Sequence, residues 1–359
     1  SYPLKINFLS SFALTKASNI RKRIFLIINK ELPMKIAIVG ATGEVGRMML
    51  TCLDEFNVPM NTIDLFASER SAGKVLYLGD RALTVKKLEE DSLSRSYDYV
   101  LFSAGAGVSL HFAPIAAQNS RAVIDNSSAF RKEKDIPLVV PEINGHLIEH
   151  YHGIISNPNC ATIQMVLPLA ILDHLYGLQK IVVSTYQSVS GSGHKGIETL
   201  LAQRNGSQDL GVYPELIDLN VIPQIGAFLD NGYSQEEEKL IFESQKILNL
   251  PNLKVCPTAV RVPVLYGHSE SIYAEFDRTI NLEEAAEALK KAESIVYEEH
   301  TYMTPRGLNS SNDSFVCRLR YGVDNHSLCF WNVANNVRLG AATNAVKILI
   351  RHARSEGLL

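Results

Sequence analysis

Apolar residues recur along this chain in two alternating textures. Lys35-Ile36-Ala37-Ile38-Val39 is a short apolar run stopped by Gly40, which reads as a buried strand. Across residues 44–56 the positions Val45, Met48, Met49, Cys52, Leu53 and Phe56 fall at helical spacing. Residues 63–67, 99–103 and 122–125 repeat the strand texture, and 108–118 the helical one. Strands alternating with helices predict right-handed crossovers and an α/β fold with a Rossmann-type, doubly wound parallel sheet.

Beyond residue 160 the texture changes. A helix is predicted over 160–176, with Ile163, Val166, Leu167, Ile171 and Leu175 on one face and a kink at Pro168. Strands are predicted over 180–189, 253–256, 259–262 and 271–276. Residues 314–320 and 328–333 flank a turn rich in Gly, Asp and Asn, which predicts a hairpin. Amphipathic helices are predicted over 282–296 and 336–354. The expected division is a dinucleotide domain over 34–159 plus 336–359, with a second, α+β domain over 160–335.

Composition narrows the partners. With 359 residues the chain has room for two domains. A net charge of −3 gives no broad pull toward nucleic acid or an anionic membrane. No apolar run reaches the roughly 18–20 residues of a membrane span. The expected partner is a small molecule, neither nucleic acid nor membrane. The five cysteines (Cys52, Cys160, Cys256, Cys317, Cys329) are odd in number, scattered and without a C-x-x-C pair. That argues against a disulfide framework or a metal site and for a reducing compartment. Cys52, Cys317 and Cys329 sit among apolar residues and read as core or near-core. Residues 1–33 carry six Lys or Arg against the single acid Glu31. That composition fits an organellar transit peptide. It fits equally an extension upstream of a natural start at Met34, and we expect this second case: a disordered or non-native stretch ahead of a cytoplasmic protein.

Two segments carry chemistry. Gly40-Ala41-Thr42-Gly43-Glu44-Val45-Gly46 lies between the first strand and the first helix. Glycines there let the backbone approach a pyrophosphate, and the helix N-terminus supplies N–H donors. The second strand is followed by Ser68-Glu69-Arg70-Ser71. Hydroxyls and a cation suit a 2′-phosphate, whereas an NAD site usually ends that strand in an acid, so Ser68, Arg70 and Ser71 predict NADP. Glu69 is the discordant neighbour. In Asn157-Pro158-Asn159-Cys160-Ala161-Thr162, Asn159 is the expected N-cap and Cys160 stands in the first helical turn. A thiolate is expected there, stabilised by the helix dipole, with N–H groups free for an oxyanion.

Together with the GATGEVG turn and Pro141-Glu142-Ile143-Asn144, four downstream segments resemble the aspartate-semialdehyde dehydrogenase family. They are Asn157–Cys160, Tyr186–Gly191, Asn220–Ile225 and Arg261–Ser269, in unbroken order across residues 34–359. The resemblance implies NADPH-dependent reduction of L-4-aspartyl phosphate to the semialdehyde, on the route to lysine, methionine, threonine and isoleucine. It implies Cys160 as nucleophile, His268 as acid and base (two roles an unperturbed imidazole near about 6.5 can play), and Gln187 orienting the intermediate. Arg261 is implied for the substrate carboxylate, Glu236 (or its neighbour Glu237) for the amino group, and Arg131 and Lys239 for phosphate. Asn159 adjoins the substrate, and Gly191 and Asn336 the nicotinamide end. It further implies a homodimer built through the second, catalytic domain. Leu339 departs from the lysine common in the family. The alternatives are N-acetyl-glutamyl-phosphate reductase and a non-catalytic NADP-binding protein.

Overall fold

The computed structural model describes residues 33–359; the expectation for the N-terminal extension falls on residues outside that range. The first sheet contains β1 (Met34–Val39), β2 (Met60–Ala67), β3 (Val75–Leu78), β4 (Arg81–Lys87), β5 (Tyr99–Phe102), β6 (Ala122–Asp125) and β7 (Gly153–Ser156). Their order is β3-β4-β2-β1-β5-β6-β7, parallel throughout except for the β3–β4 hairpin. Helices α1 (Glu44–Glu55) and α2 (Ala106–Ala117) cross between strands. Alternate residues of β1 feed two cores. Ile36 and Ile38 pack with α1 and the C-terminal helix, and Ala37 and Val39 pack with Ala113 and Ala116 of α2. Burial on both faces is why these strands read as continuous apolar runs.

The chain runs outward from β1 to β2, then returns across β1 to β5. The switch point therefore lies between β1 and β5, where ligands of such sheets bind. Gly40 stands there with φ +82°, and a Cβ on it would come 2.4 Å from the Ser103 carbonyl oxygen.

The second sheet contains β8 (Leu178–Gln187), β9 (Lys254–Arg261), β10 (His268–Phe276), β11 (Ile295–Glu298), β12 (Ser314–Tyr321) and β13 (Ser327–Ala334), in the order β11-β12-β13-β10-β8-β9. Helices α3 (Cys160–Tyr176), α4 (His194–Arg204), α5 (Gln235–Ile247) and α6 (Leu282–Lys291) belong to this half, and α7 (Asn344–Ser355) returns to the first. Residues of α3, α5 and α6 form one core with the inward residues Ile181, Val183, Ile272, Ala274 and Phe330.

Several expectations change here. The pieces at 253–256 and 259–262 are one strand, β9. Pro257 is tolerated inside it because β9 is an edge strand. The helix predicted over 282–296 stops at Lys291, and Ile295–Glu298 instead pairs in parallel with β12. Helix α3 is buried almost all round from Ala161 to Leu169 rather than along one face. It runs unbroken through Pro168, whose missing N–H frees the Gln164 carbonyl; the Ser314 hydroxyl takes that carbonyl at 3.2 Å.

Candidate active site

Helix α3 begins at the seam between the two sheets. The Asn159 side chain caps it, accepting from the backbone N–H groups of Ala161 (3.0 Å) and Thr162 (3.3 Å). Such a cap is worth about 0.5–2 kcal/mol. Cys160 follows, with Sγ 3.2 Å from Nε2 of His268, the first residue of β10. The backbone N–H of Ser188 lies 3.1 Å from the other ring nitrogen, Nδ1. That N–H can only donate, so Nδ1 accepts and the neutral ring carries its proton on Nε2, facing sulfur.

Burial favours the neutral form of both partners, against the two expectations of a helix-stabilised thiolate and an ordinary histidine. Burial, and then the Arg261 charge, pull His268 down to about 3 rather than leaving it near the ordinary histidine value. Desolvation, followed by the Glu236 charge, pushes the Cys160 thiol up to about 12 against the pull of Arg261, Arg131 and Lys239. Desolvation outweighs the helix N-terminus at this sulfur.

The remaining walls come from distant segments. Cys160, Asn159, Gln187, Gly191, Arg261, Lys239, Glu236, Arg131, Asn336 and Val45 surround one cavity of about 310 Å³. Glu236 accepts from Asn159 Nδ2 at 2.8 Å and from Lys239 Nζ at 2.9 Å. These contacts hold its carboxyl near 2, against the desolvation that opposes them. Glu237 faces elsewhere, closing a capping box with Ser234 and accepting the Ala259 N–H. Geometry thus separates the two neighbours and leaves Glu236 in the pocket. Arg261 donates one Nη1 bond to the Ser188 carbonyl at 2.7 Å. Arg131 donates to Glu243 (3.0 Å) and to the Asn126 carbonyl (2.9 Å), and its buried Nε has no protein partner.

Comparison with known proteins decides the family. Residues 35–151 match the semialdehyde dehydrogenase NAD binding domain, and residues 169–339 match the semialdehyde dehydrogenase dimerisation domain. An aspartate-semialdehyde dehydrogenase of Aquifex aeolicus is 44% identical over 327 residues, covering 88% of this chain and 96% of that protein. One from Campylobacter jejuni is 43% identical over 329 residues, covering 88% and 96%. A crystal structure of aspartate semialdehyde dehydrogenase II from Vibrio cholerae, complexed with ASA, superposes with a TM-score of 0.87 at 41% identity, covering 90% of this chain and 98% of that one. The chain belongs to the aspartate-semialdehyde dehydrogenase family.

Members of this family are NADP-dependent oxidoreductases, and the glycine turn fits that cofactor. Gly43 is exposed and caps α1 without any side-chain bond, leaving first-turn N–H groups for a pyrophosphate. Gly40 and Gly46 serve packing. A Cβ on Gly46 would come 2.2 Å from the Gly40 carbonyl oxygen. Thr42 is partly exposed beside Gly43, whereas the Glu44 carboxylate is engaged by His194 and Tyr266, both at 3.1 Å. Ser68, Arg70 and Ser71 lie outside the cysteine pocket, on the turn after β2. Phe66, near the end of β2, accepts the N–H groups of Gly40 and Ala41, which ties that strand end to the glycine turn. Lys87 joins Glu69 there at 3.5 Å, adding a second cation. Asn336 acts as a buried brace: its Oδ1 accepts from Ser188 Oγ, Ser190 Oγ and the Gly267 N–H. Leu339, the departure from family lysine, is buried in the second core.

Three residues near the site have no role assigned from sequence. Glu243 stands seven residues after Glu236, two helical turns along the same face of α5, and that spacing is its only signal. Ser188 meets His268 through its backbone N–H and Arg261 through its carbonyl, contacts that leave no side-chain signature. Gly340 sits in a π-helical turn, Arg338–Thr343, where a Cβ would come 2.8 Å from Cys160 Cβ.

Proposed function

We propose that Cys160 attacks the acyl carbon of L-4-aspartyl phosphate and carries the aspartyl group as a thioester, which is reduced to the semialdehyde. The observation that carries this reading is the 3.2 Å contact between Cys160 Sγ and the buried His268 Nε2, at the wall of a cavity lined by Cys160, three cations and the single carboxylate Glu236. Arg261 grips the α-carboxylate with the guanidinium edge not used on Ser188. Glu236 pairs with the amino group, and Asn159 lines the substrate side. Arg131, through its open Nε–H, and Lys239 hold the phosphoryl oxygens.

As sulfur bonds to the acyl carbon, the C–O bond to phosphate breaks and the thiol proton leaves on the phosphate. NADPH, when bound, would supply the hydride; Val45, Gly191 and the Asn336 loop would hold its nicotinamide end, and Ser68, Arg70 and Ser71 its 2′-phosphate. The His268 Nε2–H donates to sulfur whenever sulfur carries charge, and Gln187 orients the carbonyl oxygen. Collapse of the tetrahedral species releases aldehyde, and one proton restores the thiol.

The two-part division expected from sequence (34–159 with 336–359, and 160–335) suits this chemistry, because Cys160 then stands at the seam. We assign a homodimer to the outer face of the second sheet, which carries exposed Val182 and Tyr186, the latter 5.7 Å from the Trp331 ring. Sedimentation at twice the monomer mass supports it, and monomer mass refutes it. Five free cysteines, and no described helix long and apolar enough to cross a membrane, favour the cytoplasm; fractionation tests this, and recovery with organelles contradicts it. The relatives named above favour the aspartyl substrate over an acylated glutamyl one.

The decisive test is Cys160→Ala. This variant is expected to bind NADPH with unchanged affinity while phosphate-dependent NADP reduction by aspartate semialdehyde disappears. Retained turnover refutes the covalent route.

A further inference from the structure

We propose that Glu243 is a positioning residue that sets the phosphate-holding arginine and the start of the nucleophile's helix in one geometry. It does not line the cavity, so it acts only through its neighbours. Its carboxylate is fully buried. Oε1 accepts from Arg131 Nη1 at 3.0 Å, and Oε2 accepts the backbone N–H of Asn159 at 2.7 Å. One carboxylate therefore ties the loop after β6 to the residue immediately before Cys160.

The rest of α5 reinforces this. Lys246, one turn further on, donates to the carbonyls of Arg131 (3.0 Å), Glu133 (2.7 Å) and Ile136 (2.9 Å). Helix α5 thus grips Arg131 by its backbone through Lys246 and by its guanidinium through Glu243. Glu236, two turns earlier, grips the Asn159 side chain. With Nη1 on Glu243 and Nη2 on Asn126, the Arg131 plane is fixed, and the Nε edge is the one left without a protein partner. A buried charge pair is worth most when both partners stay in register, and removing one strands the other.

The inference rests on the proposed role of Arg131 in holding phosphate. Glu243→Gln keeps the shape but cannot accept from both partners as a carboxylate does. In phosphate-dependent oxidation of aspartate semialdehyde, E243Q is expected to raise KM for phosphate at least tenfold and to lower kcat. The Kd for NADP should stay within twofold. Glu243→Asp, which keeps the charge but is shorter by one methylene, should recover part of the phosphate affinity, and it carries the same test should E243Q not fold. In an Arg131→Ala background the E243Q effect on phosphate KM should vanish, because the residue acts through that arginine. An unchanged phosphate KM in both Glu243 variants, or effects that simply add in R131A/E243Q, overturns the proposal. If R131A alone leaves phosphate KM unchanged, the assignment of Arg131 to phosphate fails, and that failure is separate from this one.

Discussion

At the scale of single residues, burial favours a protonated sulfur and a neutral imidazole in the resting site. The cations stand ready for anions: Arg261 has one Nη committed to the Ser188 carbonyl and lines the cavity with the rest. Arg261→Lys removes that division of labour, since an ammonium cannot hold Ser188 and a carboxylate in one plane. We expect KM for aspartate semialdehyde to rise by roughly 10- to 100-fold, the equivalent of about 1.5–3 kcal/mol for a charged hydrogen bond; an unchanged KM would remove Arg261 from the site. Motif order made most of these side chains legible, because the family resemblance attaches roles to positions. It could not reveal their protonation. The shifts at Cys160 and His268 come from burial and from charges on β9 and α5, remote in sequence.

Among the elements, the π-helical turn Arg338–Thr343 deserves a test because it presses on the first turn of α3. Gly340 meets Cys160 Cβ at 2.8 Å and its Cα at 3.1 Å, measured from where a Cβ would stand. Gly340→Ala must therefore push Cys160. A displacement approaching 1 Å costs about 10²-fold in rate, so kcat is expected to fall between tenfold and a hundredfold, with NADP affinity from fluorescence titration unchanged. Wild-type kcat in G340A would show that the contact is slack. Elements with a purely local pattern were legible in advance: β1, α1, β6, α3 and the β12–β13 hairpin. Those settled by long-range pairing were not. Residues 292–296 continue the helical spacing of α6, yet pairing with β12 draws Ile295 and Val296 into a strand. The β3–β4 hairpin and β7 are short and carry weak patterns. Helix α5 did have a readable start, the Ser234…Glu237 capping box.

For the whole molecule, buried titratable groups set the response to pH. His268 and His352 are both fully buried and have lowered pKa values, chiefly from desolvation. An unfolded histidine titrates near about 6.5. Below that pH the unfolded chain takes up protons that the fold refuses, so stability falls as pH drops from about 6.5 toward the folded values. Glu270, buried two residues after His268, works in the opposite sense. Burial raises it well above the ordinary carboxyl range, so its contribution is present at low pH and is lost as pH rises above about 4.3. Between about pH 4.5 and 6.5 His268 and Glu270 act in opposite senses, and the lowered His352 tips the balance toward loss of stability as pH drops. Urea midpoints should fall over that window, and more steeply in Glu270→Gln; flat midpoints would contradict the burial of these groups as neutral species.

The central claim is a covalent one, and intact-protein mass spectrometry after rapid acid quench reads it directly. Protein mixed with aspartate semialdehyde and NADP, without phosphate, should carry one aspartyl group that peptide mapping places on Cys160, and added phosphate should discharge it. An active protein that never acquires the adduct, or acquires it elsewhere, would contradict the account.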